Sequence, residues 1–175
     1  LKQAGKHGIT GAKIRALQRQ IDAKNGTTKK ESATPSKEIL TSLLDNYHNA
    51  RYGDAEKIAI AITQQFPTYS FGWKALGTVL GSMGRLEEAL TAYRNAANIS
   101  PQDAEAYNNL GVALKELGKL GEAEACYTRA IALKRDYVEA YSNLGNMFKQ
   151  LGRLEAAGKR YTQAIILRPN YAEAQ

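Results

Sequence analysis

The side chains that could do chemistry are few and scattered. His7 and His48 sit in different segments of the chain and build no metal-ligand cluster. Cys126, the single cysteine, has no histidine near it in sequence, so it reads as a packing or surface thiol rather than a nucleophile. Gly118-Lys119 follows Gly111 at too long a spacing for a phosphate-binding loop, and Leu120 stands where a magnesium-holding hydroxyl would be needed. Carboxylate pairs such as Glu87-Glu88 and Glu122 with Glu124 read as solvated helix faces. No catalytic constellation, metal or cofactor is expected, and the chain reads as non-enzymatic. What does recur is a set of amides and lysines: Lys74, Asn108 and Ser142 in one row, Asn109 and Asn143 in a second, Thr78, Val112 and Asn146 in a third, and Lys115 with Lys149 in a fourth. A primary amide both donates and accepts, so a ladder of asparagines can hold the backbone of an extended peptide with little regard to its side chains. Lysines add a preference for acidic groups. The competing reading is that these amides bond only one another or water.

These rows exist because a 34-residue unit is written three times between Ser70 and Tyr171. An aromatic opens each copy (Trp73, Tyr107, Tyr141), followed by Leu76-Gly77, Leu110-Gly111 and Leu144-Gly145, and then by Gly84, Gly118 and Gly152. Ala89, Ala123 and Ala157 come next, with Tyr93, Tyr127 and Tyr161 four residues on, and Ala96, Ala130 and Ala164 after that. Within a copy the apolar residues recur at helical spacing in two runs, so each unit is two amphipathic helices. Gly111 is expected to face Ala123 and Ala130, letting the paired helices approach closely. Gly118 supplies the left-handed residue that ends the first helix, and Pro101 and Pro169 mark the stop after the second. One unit cannot bury its own apolar face, so neighbours must stack.

This pattern of aromatic, Leu-Gly, Ala-x3-Tyr, Ala and Pro resembles the tetratricopeptide repeat family, strictly over about three fifths of the chain. The resemblance implies an all-α, right-handed superhelical solenoid of antiparallel helix pairs, whose first helices line a concave groove that binds a protein or peptide. The repeats are also similar to those of O-linked N-acetylglucosamine transferases and of bacterial multidomain proteins. The alternative function is therefore a substrate-recruiting arm of a larger transferase, of glycosyltransferase or sulfotransferase type, with its catalytic domain outside this chain. The carboxylate clamp of chaperone adaptors would be matched by Lys74 and Asn109, but Thr78, Glu139 and Asn143 stand where it requires Asn, Lys and Arg.

Taken in order, residues 1–34 form a basic helix (Ile14, Leu17 and Ile21 on one face) and a polar linker. Residues 35–69 are a degenerate first repeat, and 70–103, 104–137 and 138–171 are three regular ones. Residues 172–175 repeat the opening of a further copy. Of the chain's net charge of +7, residues 1–36 carry +6 through eight basic and two acidic side chains. That leader reads as a capping helix. It lacks the aromatic or arginine-rich interleaving of nucleic-acid readers, which argues against such a partner. Thr34-Pro35 is expected to cap the first repeat, and Asp136 to start the last one where Arg135 replaces the proline. No apolar run is long enough to span a membrane, and the lone cysteine fits a reducing, cytoplasmic setting. The last helix should leave apolar area uncovered, a surface for self-association.

Overall fold

In a computed structural model that describes residues 34–168, the chain is eight helices: α1 Lys37–His48, α2 Tyr52–Gln65, α3 Ser70–Ser82, α4 Leu86–Ile99, α5 Ala104–Glu116, α6 Leu120–Leu133, α7 Val138–Gln150 and α8 Leu154–Leu167. The described residues contain no strand. The basic leader, Pro169 and the final partial copy lie outside the described residues. In the regular repeats a first helix of 13 residues is followed by three loop residues and a second helix of 14, and four more residues lead to the next copy. Connections this short force antiparallel neighbours. Each helix packs on those before and after it, and the first helices of consecutive repeats also touch, α3 on α5 and α5 on α7. One continuous core results, running from Leu43 through Ile62, Val79, Leu90 and Leu114 to Leu144, Met147 and Ala157.

The turn inside each pair is a left-handed residue: Gly84, Gly118 and Gly152 have φ of 73°, 74° and 69°. The degenerate repeat makes the same turn with Ala50 at φ 56°, the sole described non-glycine residue at positive φ. There the Cβ crowds the following carbonyl. Ser36, not Thr34, caps α1: its extended backbone (φ −66°, ψ 155°) aims its hydroxyl at the Ile39 amide, 3.5 Å away. Pro35 thus precedes the helix instead of opening it. Asp103 caps α5 by accepting from Glu105 and Ala106 (3.0 and 3.3 Å). The matching residue before α7 is Tyr137, which leaves Asp136 one residue early. Asp136 contributes only its backbone carbonyl, which accepts from Val138 at 3.0 Å.

The glycines of Leu76-Gly77, Leu110-Gly111 and Leu144-Gly145 have a tyrosine ring as their nearest neighbour, a contact the spacing of the alanines did not announce. Each lies under the tyrosine ring of its own repeat. A Cβ at Gly77 would stand 2.6 Å from the Tyr93 ring, and at Gly111 or Gly145 it would stand 2.8 Å from Tyr127 or Tyr161. Ala89, Ala123 and Ala130 are buried among the helices. Between repeats, ion pairs cross from the turn or second helix of one unit to the second helix of its neighbour: Arg85 to Glu56, Arg94 to Glu122 (3.1 Å) and Arg153 to Glu124 (2.9 Å). Such surface pairs contribute ~0–1 kcal/mol each, so the stacking rests mainly on the core.

Two substitutions test this account by thermal denaturation. Gly111→Ala should lose about 1–3 kcal/mol, because the Tyr127 ring has to shift to admit the methyl group. Ala50→Gly should gain about 0.5–1 kcal/mol by relieving the left-handed alanine. A tolerated alanine at 111, or a destabilising glycine at 50, would contradict it.

Candidate functional site

The face built by the first helices carries the polar rows, and the structure places each member. Asn108 is buried, and its Oδ1 accepts from the Asn143 amide of the next repeat at 3.0 Å. Asn108 in turn donates from Nδ2 to Asn109 Oδ1 at 3.4 Å. The three amides therefore form a relay that crosses a repeat boundary and is directed from Asn143 to Asn109. Its interior is satisfied internally, as the competing reading expected. The Asn109 NH2 group and the Asn143 carbonyl carry no further bond, and both residues are half-exposed. Ser142, the row-mate of Asn108, is buried.

Lys74 does not present a free cation to the groove. Its side chain is only 12% exposed and is held between Asp103, 2.9 Å away, and Glu105. Burial works against its charge, but the bonds to Glu105 and Asp103 outweigh that and raise its pKa. The carboxylates belong to the following repeat boundary, and the spacing alone does not show that they close on Lys74. Lys115 is half-buried and Lys149 is exposed, and neither forms an ion pair with the described residues. They are the lysines of the rows available to a partner.

The third row is tied to the tyrosines. Tyr93 and Thr78 share a hydrogen bond of 3.2 Å, and the Tyr161 hydroxyl donates to Asn146 Oδ1 at 2.7 Å. Val112 holds the same place in the middle repeat and offers nothing. The Tyr127 hydroxyl is consequently buried without a hydrogen-bond partner, on a side chain that is 0% exposed. Its pKa is pushed far up, first by burial and then by the nearby Glu116 charge.

A cleft of about 160 Å3 opens at the α1 end of this face. It is lined entirely from first helices, including Leu44 and Tyr47 of α1, Phe71, Ala75 and Thr78 of α3, and Asn109 of α5. Tyr47 is steadied by a 3.2 Å hydrogen bond between its hydroxyl and Ser82 Oγ. Sequence rows starting at Lys74 missed this contribution from the degenerate repeat. The signal was present in the register, where Leu44 precedes Thr78 by one period. Among the described residues no three His, Cys, Asp or Glu side chains gather to hold a metal ion. No described helix is long and apolar enough to cross a membrane.

Family models bear on the same stretch. One described as TPR repeat matches residues 77–118 and 113–152, and one described as tetratricopeptide repeat matches residues 138–171. The chain belongs to the tetratricopeptide repeat family. Its matches among solved structures are of that architecture. A crystal structure of MamA superposes with a TM-score of 0.70 at 19% identity, covering 92% of this chain and 90% of MamA. The first TPR domain of Spaghetti (RPAP3), solved bound to the HSP90 peptide SRMEEVD, matches at 31% identity and a TM-score of 0.57, over 60% of this chain and 83% of that one. The TPR domain of Arabidopsis OM64 matches at 26% identity and a TM-score of 0.56, over 58% and 84%. No curated protein sequence matches significantly.

The orphaned Tyr127 hydroxyl gives a direct test within this tetratricopeptide array. Val112→Thr should supply the bond that Thr78 supplies to Tyr93 and stabilise the fold by about 1 kcal/mol. Tyr161→Phe should cost about 1 kcal/mol, while Tyr127→Phe costs nothing or stabilises. Equal losses for the two phenylalanine variants in urea unfolding would refute the assignment.

A pH dependence follows from the same groups. Lys74, Tyr93, Tyr127 and Tyr137 all have folded pKa values above their ordinary ones, 10.5 for the lysine and 10.0 for the tyrosines, with Tyr137 pushed up to about 12 chiefly by burial. A raised folded pKa gives stability that is complete below the unfolded value and is lost as the pH climbs through the folded one. Stability should therefore hold through neutrality and fall from about pH 10 upward. Helicity by circular dichroism should be lost in step with the appearance of tyrosinate absorbance, and a stability that rises in that range would contradict the scheme.

Proposed function

We propose that this chain is a non-enzymatic protein-interaction module whose first-helix face forms a groove for an extended segment of a protein partner. The observation that carries the reading is the amide relay. Its two open ends, the Asn109 NH2 group and the Asn143 carbonyl, present a donor and an acceptor to a backbone lying along the groove. Lys115 and Lys149 sit on the same helices as those amides, and their side chains form no ion pair with the described residues. They add a preference for carboxylates at that end. The solved complex of Spaghetti with an HSP90 peptide supports peptide capture by this architecture. The chaperone-type clamp does not carry over, because Lys74 is already held by Asp103 and Glu105.

Self-association at the α8 edge is a second reading, favoured by the exposure of Leu154 (68%) and Ile166 (64%) there. At about 25 cal/mol per Å2 of apolar surface, covering a few hundred Å2 is worth several kcal/mol.

Replacing Asn109, Asn143, Lys115 and Lys149 together by alanine should weaken partner binding at least tenfold in a pull-down or titration while helicity stays unchanged. Unaltered binding by the quadruple variant would end the groove reading. Sedimentation of the full chain should show a concentration-dependent dimer that Ile166→Glu abolishes, and a monomer at all concentrations would remove the second one.

A further inference from the structure

The amide relay stops one repeat short of the α1 end, and what replaces it is a hollow. Ala75 occupies the position that Asn109 and Asn143 hold in the next two repeats. The missing amide leaves an open socket with Leu44, Tyr47 and Phe71 around it, Leu43 and Val79 beneath it and Thr78 beside it. Its volume of about 160 Å3 is close to the ~150 Å3 that accommodates a benzene-sized ring. Leu43 and Val79 are buried to 1% exposure, so the base is rigid core, while Leu44 stays 42% exposed at the rim. The exposed lining is mainly apolar and aromatic, and His48, Lys74, Thr78, Glu105 and Asn109 add polar groups to it.

The charge beside the socket has a sign. One cation, Lys74, is shared by two carboxylates, Asp103 and Glu105, and Glu105 remains 57% exposed where Lys74 is nearly covered. The mouth thus carries one net negative charge, presented on the outside. Toward the other end of the groove stand Lys115 and Lys149, which have no described ion-pair partner.

We propose that this socket takes one large apolar side chain, aromatic or leucine-sized, of a bound protein segment that carries a cationic group immediately beside it. The proposal rests on the groove reading above and adds to it the chemistry of the partner. The apolar group replaces water against Phe71, Tyr47 and Val79, and the ammonium or guanidinium pairs with the exposed carboxylate of Glu105. A segment with an acidic group in that place meets the Asp103–Glu105 pair and is disfavoured.

Two small probes that share a ring and differ in charge test this without any peptide. Phenethylamine and 3-phenylpropionate are titrated into the full chain at millimolar concentration and followed by methyl NMR. Phenethylamine should shift the methyl resonances of Leu44, Ala75 and Val79 and bind about tenfold more tightly than 3-phenylpropionate. Ala75→Asn, which restores a side chain that the later repeats already accommodate, should abolish both sets of shifts with helicity unchanged. Glu105→Gln should keep ring binding and remove the preference between the probes. Absence of these shifts, equal affinity of the two probes, or a preference that survives Glu105→Gln would overturn the proposal. The groove reading fails separately, through a peptide ligand that is indifferent to alanine at Asn109 and Asn143.

Discussion

The contact on which the rest depends is a tyrosine ring lying on a glycine within each helix pair. Tyr93 covers Gly77, Tyr127 covers Gly111 and Tyr161 covers Gly145, with less room than a methyl group would need. Because the ring comes from the second helix and the glycine from the first, one contact sets the distance between them. It also sets their rotation, since the ring has to arrive on the one face that lacks a Cβ. The hydroxyl is then delivered to the residue after the glycine. In this way a packing constraint reaches the candidate face: Thr78 and Asn146 are held by their tyrosines, and Val112 is not.

Much of the architecture was legible in the residue order. The period placed the helices, the glycines Gly84, Gly118 and Gly152 placed the left-handed turns, and Pro101 follows the helix it was expected to end. Those features are local, each decided within a few residues. What escaped was decided by the next element along. Thr34 was expected to cap the first helix, but Ser36, two residues on, has the extended backbone and side-chain bond of the cap. Asp103 and Glu105 close on Lys74 across a repeat boundary, a pairing that no local pattern predicts. The glycine at position 111 makes room as its type predicts, and the group nearest to it is the Tyr127 ring.

The candidate face was legible as rows and illegible as bonds. Residues one period apart must line up, so Asn109 and Asn143 could be paired on paper. The bond that links them runs diagonally through Asn108, a member of another row. Similarly, the row of Thr78 continues into Leu44 of the degenerate repeat, where divergence from the pattern had drawn attention away from its side chains. A repeat that departs from its consensus loses its recognisable signature and keeps its geometry, which lets the end of an array bear a different lining from its middle.

The relay has a sense of direction, and that carries a corollary. Each primary amide has its donor and acceptor on opposite prongs, so turning Asn143 over would set its carbonyl against the Asn108 carbonyl and force that amide to turn as well. The longer link, 3.4 Å between Asn108 and Asn109, is where such a turn would be absorbed most easily. Orientation chosen at one residue is thereby handed to the next repeat. A polypeptide laid along these helices would meet a polarised strip, able to tell its own head from its tail.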